Sequence, residues 1–583
     1  MRNRLLRFHV LASVAALAPA FTVPALSSAA TIANPLCPNN TALFDPDSGK
    51  DIIVPAGFKV SVFKAGLNFP TGIAFRGNKE NFEVYLLESG HGLPSRCNEQ
   101  SNFGSGDFDP KNPFTPDILV FDSNGKLLRT LAKPTAPNVG FQPAGPAVDI
   151  GFERGAQGGR LFATDSNQAT HAQGQNNSSR IVIVDPDSGK VTSFISDLPT
   201  GDHPTEQLAF KDNWIYWSQG STTNSGVVGR DNGGGANQQD IPCQDIVLSQ
   251  NVFDSGGGVK TSGYSPFGVQ RPGATVKAFD SAVHHGVCDG AILRAPLNSA
   301  HPENAIEPFS WGYRNGYAIR FASNDHPLGG GLLVGEDGPD ERGARPSNGA
   351  PDALHIARQN ADGTPDYHGW PDRFGFLPSS QAVFNPIGGP SDDLCVPDAA
   401  TESGCTAASL ALILSKDVPI RDVLAGPPQP ITSPLAIEAA DSSFTGIDFA
   451  PKTFTGGPVA PGAALYTLEG DFGFSPPNAI EPAPEVGHEV KLINFEQKGN
   501  QPLVLKVQGF ARNITGDQAF ISADHPAGLN RPTIVRFGPD GCAYVADYGA
   551  VRDNGEDTHF VGAANGPLVQ IPGTGVIWKI CKQ

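Results

Sequence analysis

One pattern recurs along this chain and limits what it can fold into. Six segments share the same order of features. They are PTGIAFRGNKENFEVYLLESG (70–90), GPAVDIGFERGAQGGRLFATDSN (145–167), PTEQLAFKDNWIYWSQGS (204–221), GYAIRFASNDHPLGGGLLVGEDG (316–338), FTGIDFAPKTFTGGPVAPGAALYTLEGD (444–471) and PTIVRFGPDGCAYVADYG (532–549). Each opens with a short strand-like run ending in Phe. A turn rich in Gly, Asp, Asn or Pro follows, then a second strand that ends in a polar or acidic residue near Gly. A third strand-like run comes after each pair: DILVFD (117–122), RIVIVD (180–185), AILRAPL (291–297), ALHIAR (353–358), EVKLINF (489–495) and VIWKI (576–580). Six units of at least three strands predict an all-β, six-bladed β-propeller.

A ring of blades has to close. FKVSVFKAGL (58–67) precedes the first unit and is strand-like, so it is expected to supply the missing outer strand of the last blade and cover an open edge. The spacing between units is uneven, with insertions near 222–290 and 372–440 rich in Gly, Pro and Ser and read as surface loops. The chain is thus read as a signal peptide over 1–30 and one propeller domain over 31–583. Charged residues make up only 17%, which fits a strand-rich chain better than one of long exposed helices.

The leader reading rests on Arg2, Arg4 and Arg7, the apolar run LASVAALAPAF, and a small-residue cleavage site at Ala29 and Ala30. No stretch reaches the ~18 apolar residues of a membrane span. Secretion or a periplasmic location is therefore expected. A net charge of −18 argues against nucleic acid and anionic membrane surfaces as partners. All eight cysteines follow the expected cut, and an even count in an exported chain favours disulfides. Cys395 with Cys405 is the expected local pair, and Cys542 with Cys581 could tie down the last strand. Sequons begin at Asn39, Asn176, Asn177 and Asn513.

In a propeller, loops from several blades meet at one end of the central channel, so chemistry is sought where such loops carry polar groups a plain repeat does not need. His203, in the turn made with Asp202 and Pro204 just before the third unit, can act as a base near neutral pH, or be a solvated turn residue. Arg314 and Asn315 in WGYRNGYAIRF lead into the fourth unit; the arginine suits an anion or an ordinary structural ion pair. GEDGPDERGARP (335–346) gathers Glu336, Asp337, Asp340 and Glu341 around Gly338-Pro339, which suits a hard cation such as calcium or a solvated acidic turn. Arg531 leads into the sixth unit as Arg314 leads into the fourth, and two arginines facing one channel would favour a polyanionic ligand.

These segments, in this order over roughly residues 55 to 580, resemble the soluble quinoprotein glucose and sorbosone dehydrogenases. The likeness is carried by LPTGDHPTEQLAFKDNWIYWSQGSTTN, WGYRNGYAIRF, LLVGEDGPDE and APDALHIARQNADGTPDYHGWPD. The resemblance implies a six-bladed propeller binding pyrroloquinoline quinone and calcium, and oxidising a sugar or related alcohol for an external electron acceptor. It implies that His203 is the general base, that Arg314, Asn315 and Arg531 meet the cofactor, and that the main-chain carbonyls of Gly338 and Pro339 help to hold calcium. Asp352 and Tyr367 are further candidates for a calcium site. Three positions depart from the family pattern. Ser221 stands where an acid is expected near the histidine, Glu469 and Asp471 stand near an expected basic residue, and Gln142 is the nearest to an expected glutamine. Two other functions fit the same ring. One is a calcium-dependent, lactonase-like hydrolase using strand-end acids such as Glu88, Asp448, Glu469 and Asp547; the other is a non-catalytic propeller that binds glycans or partners.

Overall fold

The computed structural model describes residues 30–583 except 33–40, 91–113, 136–138, 168–176, 230–238, 256–258, 280–285, 341–343, 346–349, 377–420, 472–485, 498, 500 and 554–567. Residues 1–29 of the expected leader, Glu341 and the pair Cys395 and Cys405 lie outside the described residues. Six sheets of four or five strands, antiparallel but for one added edge strand, follow one another along the chain as blades. The first blade runs Pro70–Gly77, Phe82–Glu88, Asp117–Asp122 and Leu127–Leu131 from its first strand outwards. The second runs Ile150–Phe152, Leu161–Asp165, Asn177–Val184 and Val191–Pro199. In the third, Thr205–Lys211, Trp214–Gln219, Ala291–Pro296 and Glu307–Trp311 are extended by Asp366–Tyr367, which pairs parallel to the outer edge. The fourth is Asn315–Phe321, Leu332–Asp337, Ala353–Ala357 and Ala436–Ile437. The fifth is Phe444–Phe449, Ala464–Leu468, Glu489–Glu496 and Val504–Asn513, with Ile52–Ile53 added outside.

The sixth blade closes the ring. Its strands Pro532–Phe537, Ala543–Asp547 and Gly575–Lys582 are completed by Phe58–Leu67 from the start of the chain. The register runs from Gly575 opposite Leu67 to Lys582 opposite Phe58, which satisfies the backbone groups that an open edge would expose. The disulfide Cys542–Cys581 joins the second and third strands of this blade. All six third strands and the closing strand thus lie where the sequence pattern places them.

The strands are less alternating than a sheet with one wet face would be. Leu161–Asp165 and Ala464–Leu468 are buried throughout, because each blade is sandwiched between two neighbours. Hydrophobic clusters accordingly form between consecutive blades. Leu208 and Trp217 face the second blade, while Ala209 and Tyr216 face the fourth. The recurrent Phe of the first strand has the same origin in the first four blades. Phe75 packs on Tyr544 at 5.0 Å, Phe152 on Tyr85 at 5.1 Å, Phe210 on Phe162 at 5.5 Å and Phe321 on Tyr216 at 4.8 Å between ring centroids. In each case the partner belongs to the second strand of the preceding blade, mostly in edge-on geometry.

The insertion after the third blade's second strand is not simply a surface loop. Val227, Ile241, Ile246, Leu248, Phe253, Tyr264 and Val276 are buried in one cluster with the second and third blades, and Cys243–Cys288 ties the insertion's interior to its C-terminal end. Of the sequons, Asn513 is buried. Its side-chain amide donates to the carbonyls of Asp517 at 2.6 Å and Leu529 at 2.7 Å.

Candidate functional site

Every first strand begins at the same end of the channel, so the residues just before it and at the end of the second strand form one mouth. His203, Arg314 and Arg531 all occupy such lead-in positions. Arg314 sits at the centre. Its guanidinium is almost fully buried and donates from Nη1 to the carbonyl of Gly338 at 2.8 Å. Its Nη2 meets Asp340 at 2.5 Å and Asp202 at 3.4 Å. Asp202 in turn lies 3.6 Å from Nε2 of His203, and Glu206 lies 3.7 Å from Nδ1. Three stretches that are far apart in sequence, GDHP, YRN and EDGPD, therefore meet through one arginine.

Ser221 brings no acid to the histidine, but two acids flank its ring, Asp202 beside it in sequence and Glu206 three residues further along. Ser221 itself donates its hydroxyl to the carbonyl of Thr223 at 2.6 Å, and so holds the turn. His203 also fixes its neighbour's identity. A Cβ on Gly220 would stand 2.2 Å from the Cβ of His203, so only glycine fits.

Backbone hydrogen bonds and one buried chain fix the fourth blade's contribution. Glu336 accepts the Arg314 amide at 2.8 Å through Oε1 and contacts Nε2 of His355 at 2.8 Å through Oε2. His355 meets His368 Nδ1 to Nδ1 at 3.1 Å, and His368 reaches Asp366 at 3.0 Å. The first residues of the insertion brace the other side. Asn224 donates to the carbonyl of Asp340 and accepts its amide, both at 2.9 Å.

The remaining sequence candidates divide. Asn315 is buried at the mouth and donates from Nδ2 to Asp337 at 3.0 Å. Arg531 is fully buried there, its guanidinium donating to the carbonyls of Gly470 at 2.9 Å and Asp471 at 2.7 Å. Asp352 accepts the amides of Gly338 at 2.7 Å and Ser443 at 2.6 Å, so both its oxygens hold loops. The Tyr367 hydroxyl lies 2.7 and 2.9 Å from the carbonyl oxygens of Gly369 and Trp370. Gln142 bridges the carbonyls of Asp165 and Ser178 within the second blade.

The strand-end acids of the hydrolase reading do not converge. Glu88 and Asp117 form a buried pair in the first blade, in which burial and then Asp117 push Glu88 up to about 8. Asp448 is tied to Arg320 at 2.8 Å, and Asp547 accepts the amides of Asn530 and Arg531 and the Trp578 indole N–H. Glu469 does face the mouth. Burial pushes it up to about 8, against Arg531 and reinforced by Asp547.

Glu206 and Asp337 are held well above the usual carboxylate range. For Glu206 the cause is burial, opposed by Arg314 and reinforced by Glu469; for Asp337 it is burial and then Asp352, with Arg314 opposing and Glu206 and Glu469 adding. Glu206 Oε2, Asn315 Oδ1 and Asp337 Oδ1 are buried oxygens with no hydrogen-bond partner among the described residues. Buried acceptors of this kind fit a hard cation, and the two buried arginines of the same mouth fit carboxylate groups.

No family model and no curated protein sequence matches the chain. Solved structures do. One is the holo form of the PQQ domain of pyranose dehydrogenase from Coprinopsis cinerea, at 12% identity over 91% of this chain and 97% of that one, with a TM-score of 0.47. Another is the calcium structure of a Trichoderma reesei enzyme of carbohydrate-active family AA12, at 13% identity over the same shares and a TM-score of 0.47. A third is a putative glucose dehydrogenase-type oxidoreductase from Thermus thermophilus, at 14% identity over 90% and 99% and a TM-score of 0.44. The fold described above rests on the strand order of this chain and not on these likenesses.

Proposed function

We propose that the channel mouth is the active site of a quinoprotein-type dehydrogenase that oxidises a hydroxyl group of a sugar or related alcohol. The observation that carries this reading is that Arg314 directly contacts both the Gly338–Asp340 loop and Asp202, the residue that flanks His203. The family resemblance assigns separate tasks to these three segments, and they have no reason of sequence proximity to be together.

In this reading His203 takes the proton of the substrate hydroxyl, with its ring between Asp202 and Glu206. Asp202 would orient the imidazole and offset the charge it gains, with Glu206 on the other side of the ring. Arg314 and Arg531 would hold the carboxylates of pyrroloquinoline quinone, and the carbonyls of Gly338 and Pro339 would face its calcium. When bound, that pair supplies an electrophilic quinone that accepts the substrate's hydride. The buried setting of Arg314 excludes water from the cation that would meet the cofactor, which strengthens the attraction. Electrons then leave to an external acceptor. Secretion would match the disulfides Cys243–Cys288 and Cys542–Cys581 found among the described residues.

The test is reconstitution. Metal-stripped protein is supplied with pyrroloquinoline quinone and calcium, and dye reduction is followed with a panel of aldoses and alcohols. Cofactor-dependent absorbance with substrate-dependent dye reduction is expected. Lactone hydrolysis with calcium alone and no dye reduction would replace this reading with the hydrolase.

A further inference from the structure

The sixfold repeat supplies internal controls for each position at the mouth. Four residues before the strand Phe, the first, fifth and sixth blades carry Thr71, Thr445 and Thr533. Each threonine hydroxyl donates to a carbonyl leading into the next blade: Thr71 to Ala147 at 3.2 Å, Thr445 to Pro532 at 3.1 Å and Thr533 to Pro70 at 2.8 Å. The role is structural, a stitch between neighbouring blades. In the third blade the same position is Glu206. It is 2% exposed, and its Oε2 has no hydrogen-bond partner among the described residues.

The strand-end acid shows the same departure. Glu88, Asp337 and Asp547 each stand opposite the first residue of their blade, which is Pro70, Asn315 and Pro532 respectively. In the first and sixth blades this acid accepts lead-in amides, Glu88 from Asn68 at 2.6 Å and Asp547 from Asn530 at 2.7 Å. In the fourth blade Glu336 accepts the lead-in amide instead. Asp337 is thereby released from the structural task. One oxygen accepts from Asn315, the other has no hydrogen-bond partner among the described residues, and the amide oxygen of Asn315 is in the same state.

We infer that Glu206, Asn315 and Asp337 form a side-chain site for a divalent cation, calcium in the first instance, between the third and fourth blades. Two carboxylates and an amide oxygen are hard donors suited to calcium. Among the described residues no three acidic, histidine or cysteine side chains form a ready-made metal cage, so the ion keeps water in part of its shell. Its charge offsets the mutual repulsion of two buried acids. The inference goes beyond the quinone reading, because it needs neither cofactor nor the carbonyls of Gly338 and Pro339.

The experiment titrates calcium into the full, metal-stripped chain without quinone and follows thermal unfolding, with magnesium and matched sodium chloride as comparators. The wild type is expected to gain several degrees in Tm with calcium. Glu206→Gln and Asp337→Asn should each weaken the apparent calcium affinity at least tenfold. Both should unfold no lower than wild type in the absence of metal, since each keeps the size and polarity of the side chain while removing a buried ionisable group. Thr71→Val, which loses only a stitch, should keep the calcium response. No calcium response in the wild type, or an undiminished response in both variants, would overturn the site. Dye reduction with added quinone is read separately. If it persists while both variants bind calcium normally, the side-chain site fails and the quinone reading stands.

Discussion

Arg314 and Asp340 meet at 2.5 Å inside the mouth, and Asp340 is itself held from both sides by Asn224 of the long insertion. The arginine thus joins the lead-in turn of one blade to a loop braced by another. Replacing it with Ala removes the buried guanidinium that pairs with the partly buried Asp340 and donates to the Gly338 carbonyl. Such a loss costs about 3–5 kcal/mol, to be measured by chemical unfolding. Arg314→Lys keeps the charge but not the fork, and should retain the fold while lowering kcat/KM in the reconstituted assay by roughly 10-fold or more.

His203→Ala should abolish dye reduction while leaving quinone binding, followed by its absorbance, largely intact. Asp202→Asn tests the support. An orienting carboxylate acts on the chemical step, so kcat should fall by roughly 10–100-fold with little change in KM. An unchanged kcat would assign that task to Glu206 alone.

Acid stability should depend on Glu83, far from the mouth. It accepts hydrogen bonds from Arg129 at 2.7 Å, Arg76 at 2.8 Å and the Tyr85 hydroxyl at 2.7 Å. Burial raises its pKa, but these bonds, Arg129's first, outweigh burial and hold it at about 2 against an ordinary value of 4.5. A carboxyl depressed on folding stabilises the protein above its unfolded pKa and loses that contribution as pH falls. The loss should therefore run between about pH 4.5 and 2. Glu83→Gln should lower Tm at pH 7 and flatten the Tm-against-pH curve across that window.

Ring closure should be sensitive to the disulfide in the sixth blade. Cys542 and Cys581 are 39 residues apart, and a cross-link of that loop length contributes roughly 3–4 kcal/mol. Replacing both by Ser should lower the midpoint of chemical unfolding accordingly. Dithiothreitol should then have less effect on the variant than on the wild type.

Asn513 should stay unmodified in a glycosylating host, because its side chain is buried and bonded to two carbonyls. A mass shift at this residue on deglycosylation would contradict its placement.

The propeller was legible because each blade is a local unit. Phe75, Phe152, Phe210 and Phe321 recur at one place in the repeat since each fills the same aromatic contact with the preceding blade. The closing strand Phe58–Leu67 could be named from sequence because its strand pattern had no other unit to join. The buried role of the insertion was not legible: its apolar residues are scattered among Gly and Ser, and only packing on the second and third blades gathers them.

The mouth divides in the same way. That His203, Arg314 and Arg531 lead into first strands, and so stand at one end of a channel, is written in the repeat. Their partners are set by how the blades pack. Asp202 reaches Arg314 across 112 residues and Asn224 reaches Asp340 across 116, contacts that no local pattern encodes. Blade packing also decides which acids are structural. Glu88 and Asp547 accept backbone amides, whereas Glu206 and Asp337 each keep a buried oxygen without a hydrogen-bond partner among the described residues. A strand-end acid reads the same in every blade until the ring closes. Closure then determines whether a backbone N–H lies within reach of it or the carboxylate is left to the channel.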